Sequence, residues 1–123
     1  MTQNEIEVLF LMESTKNKYF KDIQMPITFH ILKEDSSYSI RGRILYLSGG
    51  VAELWLYYND DTVLEHRYRW GLVPIIAHEL SHIINPVSPD DVMAERLPEK
   101  IVQIWQEMKD SGSVEIDCKF MED

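Results

Sequence analysis

The segment Leu72–Ile84, LVPIIAHELSHII, is the most informative stretch of the chain. It carries the pattern H-E-x-x-H at His78, Glu79 and His82, surrounded by aliphatic residues that favour a buried helix. In an α-helix, positions i and i+4 lie on one face about one turn apart, so imidazoles at 78 and 82 can bind the same metal ion. Two histidines and a glutamate are costly to bury without partners. The apolar setting therefore favours a metal-binding helix over a histidine pair satisfied within the core.

The residue types in this pattern favour zinc. Imidazole nitrogens and carboxylate oxygens are zinc ligands, and a catalytic zinc keeps one coordination position open for water. Zinc lowers the pKa of that water toward about 7, and Glu79, next to the first histidine, is placed to take its proton. We therefore expect Zn²⁺ as the cofactor, His78 and His82 as metal ligands, and Glu79 as the catalytic residue.

The chain before this segment predicts one helix and three strands. Thr2 and Glu5 have the spacing of a capping box, at the start of a helix that ends near Tyr19. Alternating apolar residues predict strands over 27–32, 38–47 and 51–58, and Ser48-Gly49-Gly50 indicates a tight turn. Because the connections are short, we expect a mainly antiparallel, three-stranded sheet.

Helices are predicted for most of the remaining chain. One short helix is expected over 62–70, interrupted by Gly71, and the H-E-x-x-H helix over 72–84. Ser88 has the position of an N-cap, with Pro89 in the first turn and Asp91 as its capping-box partner, and a further helix follows Pro98. We expect residues 114–123 to form a short strand or a flexible tail. The expected fold is α+β, in one domain over residues 1–123.

Composition narrows the class of partner and the compartment. The chain of 123 residues has a net charge of −9, whereas nucleic acids and anionic membranes attract basic surfaces. No apolar run approaches the roughly 20 residues of a membrane span. Glu5 and Glu7 lie where a signal peptide would be positively charged, which predicts a cytoplasmic protein. The single cysteine, Cys118, excludes an internal disulfide. The sequence does not predict the oligomeric state.

The HELSH motif on an apolar helix, after a predicted sheet, resembles the zincin metallopeptidases. No histidine follows His82, so the longer metzincin pattern is excluded. The small size resembles the minimal gluzincins, and this resemblance implies a third ligand from a carboxylate on the next helix. The candidates are Asp90, Asp91, Glu95 and Glu99. We predict Glu95, because it lies mid-helix among apolar residues, with Asp91 as the second choice.

The same resemblance implies the function and the substrate-binding strand. It implies a zinc-dependent peptidase that acts on a peptide or protein substrate, with Glu79 as general base and then as proton donor to the leaving amine. In zincins the strand before the active-site helix offers a free sheet edge to the substrate, which implies a role for Val51, Ala52, Glu53 and Leu54. The alternative is a catalytically inactive, metal-binding or peptide-binding regulatory module on the same core.

The tail over residues 114–123 is a candidate inhibitory segment. It carries several zinc donor groups, among them the Cys118 thiolate and the carboxylates of Glu122 and Asp123. The resemblance to minimal gluzincins implies that such a tail blocks the cleft, with Cys118 as a regulatory residue. A frayed end or an added edge strand is the alternative.

Overall fold

The computed structural model describes residues 2–33, 40–58, 66–112, 114–115 and 121–122. Its helices, in chain order, are α1 (Gln3–Tyr19), α2 (His66–Ile84), α3 (Pro89–Arg96) and α4 (Glu99–Ser111). Its strands are β1 (Ile27–Lys33), β2 (Ile40–Leu47), β3 (Val51–Tyr58), β4 (Val114–Glu115) and β5 (Met121–Glu122). The α+β class, with an N-terminal helix, a sheet and C-terminal helices, is confirmed.

The sheet is mixed, so the expected antiparallel meander is wrong. The hairpin β2–β3 is antiparallel as predicted, and Gly49 and Gly50 supply its turn with φ values of 90° and 76°, which favour glycine. However, β3 also pairs with β1, in parallel, from Ile27↔Ala52 to Lys33↔Tyr58. β3 takes the central position because its inward side chains Ala52, Leu54 and Leu56 are fully buried. A strand buried in this way has its backbone N–H and C=O groups satisfied on both edges when it pairs with a neighbour on each side.

The helices cover one face of the sheet and enclose the core. α2 packs against β2 and also against α1, α3 and α4. The core between these layers is formed by buried side chains from every major element except β1, including Val8, Met12, Ile44, Leu54, Leu56, Ile75, Ile76, Leu80, Met93 and Trp105. The H-E-x-x-H helix is therefore the central helix of the domain, as its apolar composition predicts.

α2 is longer than the sequence predicts. One helix runs from His66 to Ile84, where we expected a break at Gly71 and a start near Leu72. Pro74 therefore lies inside the helix and not in its first turn. An interior proline costs about 3 kcal/mol. Burial of neighbours such as Leu72, Ile75 and Ile76 offsets this cost, so the helix continues through Gly71 and Pro74. The first residues of the predicted 62–70 helix lie outside the described residues.

The two predicted helix starts have different outcomes. At α1 the capping box is confirmed, since Thr2 accepts from the Glu5 amide and the Glu5 side chain reaches back to Thr2. At α3, Ser88 is the N-cap, but its side chain makes no capping hydrogen bond. Instead, the Asn85 side chain accepts from the Ser88 amide at 3.1 Å. The capping-box role predicted for Asp91 is therefore wrong.

The C-terminal segment contributes two short strands at the edge of the sheet. β4 pairs in parallel with β2 at Ile40 and Arg41, and β5 pairs in parallel with β2 at Leu45 and Tyr46. Cys118 lies outside the described residues, so its regulatory role stays a prediction. Within the described part of the chain, no helix has the length and apolar character needed to cross a bilayer.

Candidate metal centre

The two motif histidines face each other on the inward side of α2. Their Nε2 atoms are 3.1 Å apart, and their rings meet edge-on with centroids 4.6 Å apart. His78 is 2% exposed and His82 is 1% exposed. The i, i+4 spacing therefore brings the two nitrogens to one buried point, as the sequence predicts.

This nitrogen separation fits a shared zinc ion. Nitrogens that each lie about 2.0–2.1 Å from one tetrahedral zinc are about 3.3 Å apart. The separation of 3.1 Å is close to that value, and it also suits a single N–H···N hydrogen bond between neutral imidazoles. The donor chemistry fits zinc in either case, because both nitrogens are imidazole Nε2 atoms. A metal titration separates the two interpretations.

Asp90 is the carboxylate that α3 brings to this pair. Its Oδ1 lies 3.4 Å from Nδ1 of His78, slightly longer than an ordinary N–H···O hydrogen bond of about 2.7–3.2 Å. Nδ1 lies on the other side of the imidazole ring from the nitrogen that faces His82. Asp90 is therefore placed to fix the orientation and tautomer of His78, and not to share a metal with Nε2.

Helix α4 holds Asp90 in place. Trp105 donates its Nε1–H to Oδ1 at 3.0 Å, and Lys109 donates to Oδ2 at 2.6 Å. The Trp105 ring also packs against the His78 ring, with centroids 4.7 Å apart. Contact with His78, and then with Lys109 and Trp105, holds the pKa of the Asp90 carboxyl well below its ordinary value. The group is therefore an anion at neutral pH.

The side chain of Glu79 extends from α2 to the middle of β2. Its side chain is 1% exposed and packs on the backbone of Gly42, where a Cβ atom would lie only 2.7 Å from Glu79 Cγ. Tyr46, on the same face of β2 as Gly42, has its pKa raised by burial and by the charge of Glu79. Its hydroxyl therefore stays protonated at neutral pH.

Apart from Asp90, the candidate third ligands have exposed side chains. Glu95 and Asp91 are exposed on α3, and Glu99 is exposed at the start of α4. The apolar setting that favoured Glu95 in the sequence is therefore not its setting in the fold. Across the ranges given above, no cluster of three or more His, Cys, Asp or Glu side chains is arranged to hold a metal ion.

The interpretation of Val51–Leu54 as a free sheet edge is wrong. β3 is hydrogen-bonded on both sides, by β1 and by β2, so its backbone is not available to an extended substrate. Ala52 and Leu54 are buried in the core, which leaves only the outward side chains of Val51 and Glu53 for contact with another molecule. The strand that packs most closely on α2 is β2, and the edge of β2 away from β3 pairs with β4 and β5.

The sequence analysis did not single out Gly42, and it considered Asp90 only as a direct metal ligand, although both positions carry a signal in the sequence. Asp90 lies in the first turn of α3, and a four-residue connection from α2 keeps that turn close to His78. Gly42 interrupts an otherwise bulky strand, and a glycine inside a strand often marks a close approach of another group.

Comparisons with known proteins do not extend these observations. No protein-family model, no curated protein and no solved structure matches the chain. The functional interpretation therefore depends on the geometry of the site and on the resemblance of its motif.

Proposed function

We propose that this protein is a zinc-dependent peptidase in which His78 and His82 bind the metal and Glu79 is the general base. The observation that carries the proposal is the 3.1 Å separation of the two Nε2 atoms on a buried helix, in which the buried Glu79 directly follows His78. Residues on one rigid helix keep this geometry before any substrate arrives. Such preorganisation is what a hydrolytic centre requires.

Each residue of the site has a defined role in this proposal. When bound, zinc would supply a Lewis acid that polarises the scissile carbonyl and makes a water acidic. Glu79 takes a proton from the attacking water and delivers it to the departing amine. Asp90 favours a proton on Nδ1 of His78, which would leave Nε2 free to bind the metal. Glu95, with Asp91 as second choice, remains the proposed third ligand.

Burial of the site supports the further proposal that this form is latent. His78, Glu79 and His82 are each at most 2% exposed, whereas a peptidase must admit a peptide chain. The tail strands β4 and β5 pair with β2 on either side of Gly42, which is the residue that Glu79 packs against. A tail held at this edge would have to move before an extended substrate could pair with β2.

An inactive binding module is the second candidate. The observation that favours it is the exposure of Glu95 and Asp91, because a zinc ion held by two histidines alone would be bound weakly. In that case the core binds metal or peptide without hydrolysing it. The two candidates differ in what they require of Glu79.

Metal content and hydrolysis together test the proposal. We expect about one zinc per chain in the parent protein and a loss of zinc in His78→Ala. Glu79→Gln keeps the size of the side chain, so it should retain zinc while losing peptidase activity on a mixed peptide substrate, by about 10²–10⁴-fold. Retention of zinc in His78→Ala would overturn the metal site. Zinc binding without hydrolysis, in the full chain and in a chain ending at Gly112, would favour the inactive module.

A further inference from the structure

A groove runs between α1 and β1, at the opposite edge of the sheet from β2. It has a volume of about 590 Å³. α1 lines it with Ile6, Leu9, Phe10 and Glu13, and β1 lines it with Ile27, Thr28 and Phe29. Phe10 is 68% exposed and Ile6 is 49% exposed. Because Ile6 and Phe10 line the same groove, they form an exposed apolar patch of the kind that marks interaction sites.

β1 also presents backbone groups at this groove. The Ala52 amide donates to the Pro26 carbonyl at 3.0 Å, and Ile27 is the register partner of Ala52. In a parallel ladder the bonded residues alternate, so Thr28, His30 and Leu32 face β3. The amide and carbonyl groups of Ile27, Phe29 and Ile31 then point to the outer edge. β1 ends the strand order, and no described strand pairs with that edge.

The same residues of β1 therefore offer backbone hydrogen-bonding groups and an apolar surface to a peptide. Ile27 and Phe29 direct their backbone groups outward and their side chains into the groove. An extended segment that pairs with β1 would place every second side chain between α1 and β1. β1 has seven residues, so the segment would need about six to eight.

Charge indicates the composition of that segment. Among the described residues, Glu13 is the only charged one that lines the groove, and the chain carries a net charge of −9. A peptide with apolar side chains on one face and a lysine or arginine near Glu13 complements both properties. A second copy of this chain fits less well, because Ile27, Phe29 and Ile31 pack on their own core and are not free to enter a neighbour's groove.

We propose that the α1–β1 groove binds an extended, apolar and cationic peptide segment of another protein by addition of a strand to β1. This surface is independent of the candidate metal centre, which lies beneath the other edge of the sheet. It does not rest on the proposed peptidase activity. It would give the domain a docking site for a partner or for part of a substrate.

Three labelled octapeptides test the proposal. The first places leucine, valine and one lysine at the alternate positions that enter the groove, with threonine between them. The second replaces that lysine with glutamate, and the third carries N-methyl groups on the amides that would face β1. Fluorescence anisotropy should give saturable binding of the first peptide, with the other two at least about tenfold weaker. Amide chemical shifts of Ile27, Phe29 and Ile31 should move on binding.

Variants locate the binding. Glu13→Lys and Phe10→Ser change exposed side chains, so both should fold, and each should weaken binding of the first peptide by about fivefold or more. Glu107→Lys and Val87→Ser are matched exposed controls away from the groove and should bind like the parent. Absence of saturable binding below about 1 mM, or unchanged affinity in Glu13→Lys, would overturn the proposal. So would a concentration-dependent dimer that Phe10→Ser dissociates, since a second copy would then be the occupant.

Discussion

The Asp90 carboxylate lies 3.4 Å from Nδ1 of His78, on the side of the ring away from His82. It is itself held by Trp105 and Lys109 of α4. Three helices therefore meet at one imidazole, although only α2 carries the motif. The orientation of His78 depends on residues 12 and 27 positions further along the chain, at Asp90 and Trp105.

Asp90→Asn should weaken zinc binding without removing a ligand. The amide keeps the shape of the side chain but loses the charge that favours a proton on Nδ1, and outer partners of this kind are typically worth about 10–100-fold in metal affinity. Calorimetric zinc titration measures the effect. Asp110→Asn is the matched control, because Asp110 is an exposed aspartate on α4 that is not among the candidate ligands. Equal affinities in the two variants would argue against the role of Asp90.

Glu95→Ala tests the third ligand. If Glu95 completes the metal site, its removal should lower zinc affinity by more than Asp90→Asn does, because a direct bond to the metal is lost. Glu99→Ala serves as the control, since Glu99 is also exposed and begins the next helix. Zinc binding that survives Glu95→Ala but fails in Asp91→Ala would transfer the assignment to Asp91.

Gly42→Ala should displace Glu79. The added methyl group would lie 2.7 Å from Glu79 Cγ, so we expect a loss of about 1–3 kcal/mol in the free energy of unfolding. Glu79→Ala in the same chain removes the opposing atoms, and the double variant should recover most of that loss. Urea unfolding of all four chains gives the coupling energy. Additive effects would mean that the strain lies elsewhere.

Truncation after Gly112 tests latency. Gly112 ends α4 in the left-handed conformation, with a φ of 70°, so the cut leaves the helix cap intact. We expect peptidase activity to rise in the shortened chain, because β2 then offers its outer edge to a substrate. Cys118→Ser in the full chain separates two causes: activation there would implicate the thiolate, and activation by truncation alone would implicate occupation of the edge. Equal activity in all three chains would exclude an inhibitory tail.

The Asp22–Arg96 ion pair should make stability depend on acid pH. Arg96 donates to both carboxylate oxygens, at 2.6 and 2.8 Å, and these hydrogen bonds lower the pKa of Asp22 from 3.8 to about 2. A carboxyl group whose pKa is lower in the folded than in the unfolded state stabilises the fold at every pH above its unfolded-state pKa. That stability is lost as the pH falls from about 4 to about 2. In Asp22→Asn the unfolding midpoint should therefore fall less steeply across this window. Asp91→Asn is the control, and a slope like that of the parent in Asp22→Asn would contradict the assignment.

Local features of the fold were predictable from the sequence. The capping box of Thr2 and Glu5 and the glycine turn of the β2–β3 hairpin depend on residues that are neighbours along the chain. The order of the strands depends instead on which strand buries more surface, and adjacent apolar patterns do not reveal it. Gly71 and Pro74 show the same limit, because buried residues around them stabilise a helix that their own preferences oppose.

The residues of the site also differ in whether local or tertiary structure determines their positions. His78, Glu79 and His82 lie on one helix, so their relative positions follow from helical geometry alone. Asp90 depends on the angle at which α3 leaves α2, and that angle is set by Asn85, whose side chain accepts from the amides of Val87 and Ser88. Glu95 was favoured by its apolar neighbours in sequence, but the face of a short helix is decided by the whole packing arrangement.

The parallel ladder between β1 and β3 has a consequence for how the domain folds. The β2–β3 hairpin joins residues across a three-residue turn, whereas Ile27 and Ala52 are 25 positions apart. Loop-closure entropy makes the longer contact costlier by about 2 kcal/mol. The hairpin should therefore form early, and β1, with α1 behind it, should join the sheet late. Mutations in β1 would then mainly accelerate unfolding and leave the folding rate nearly unchanged.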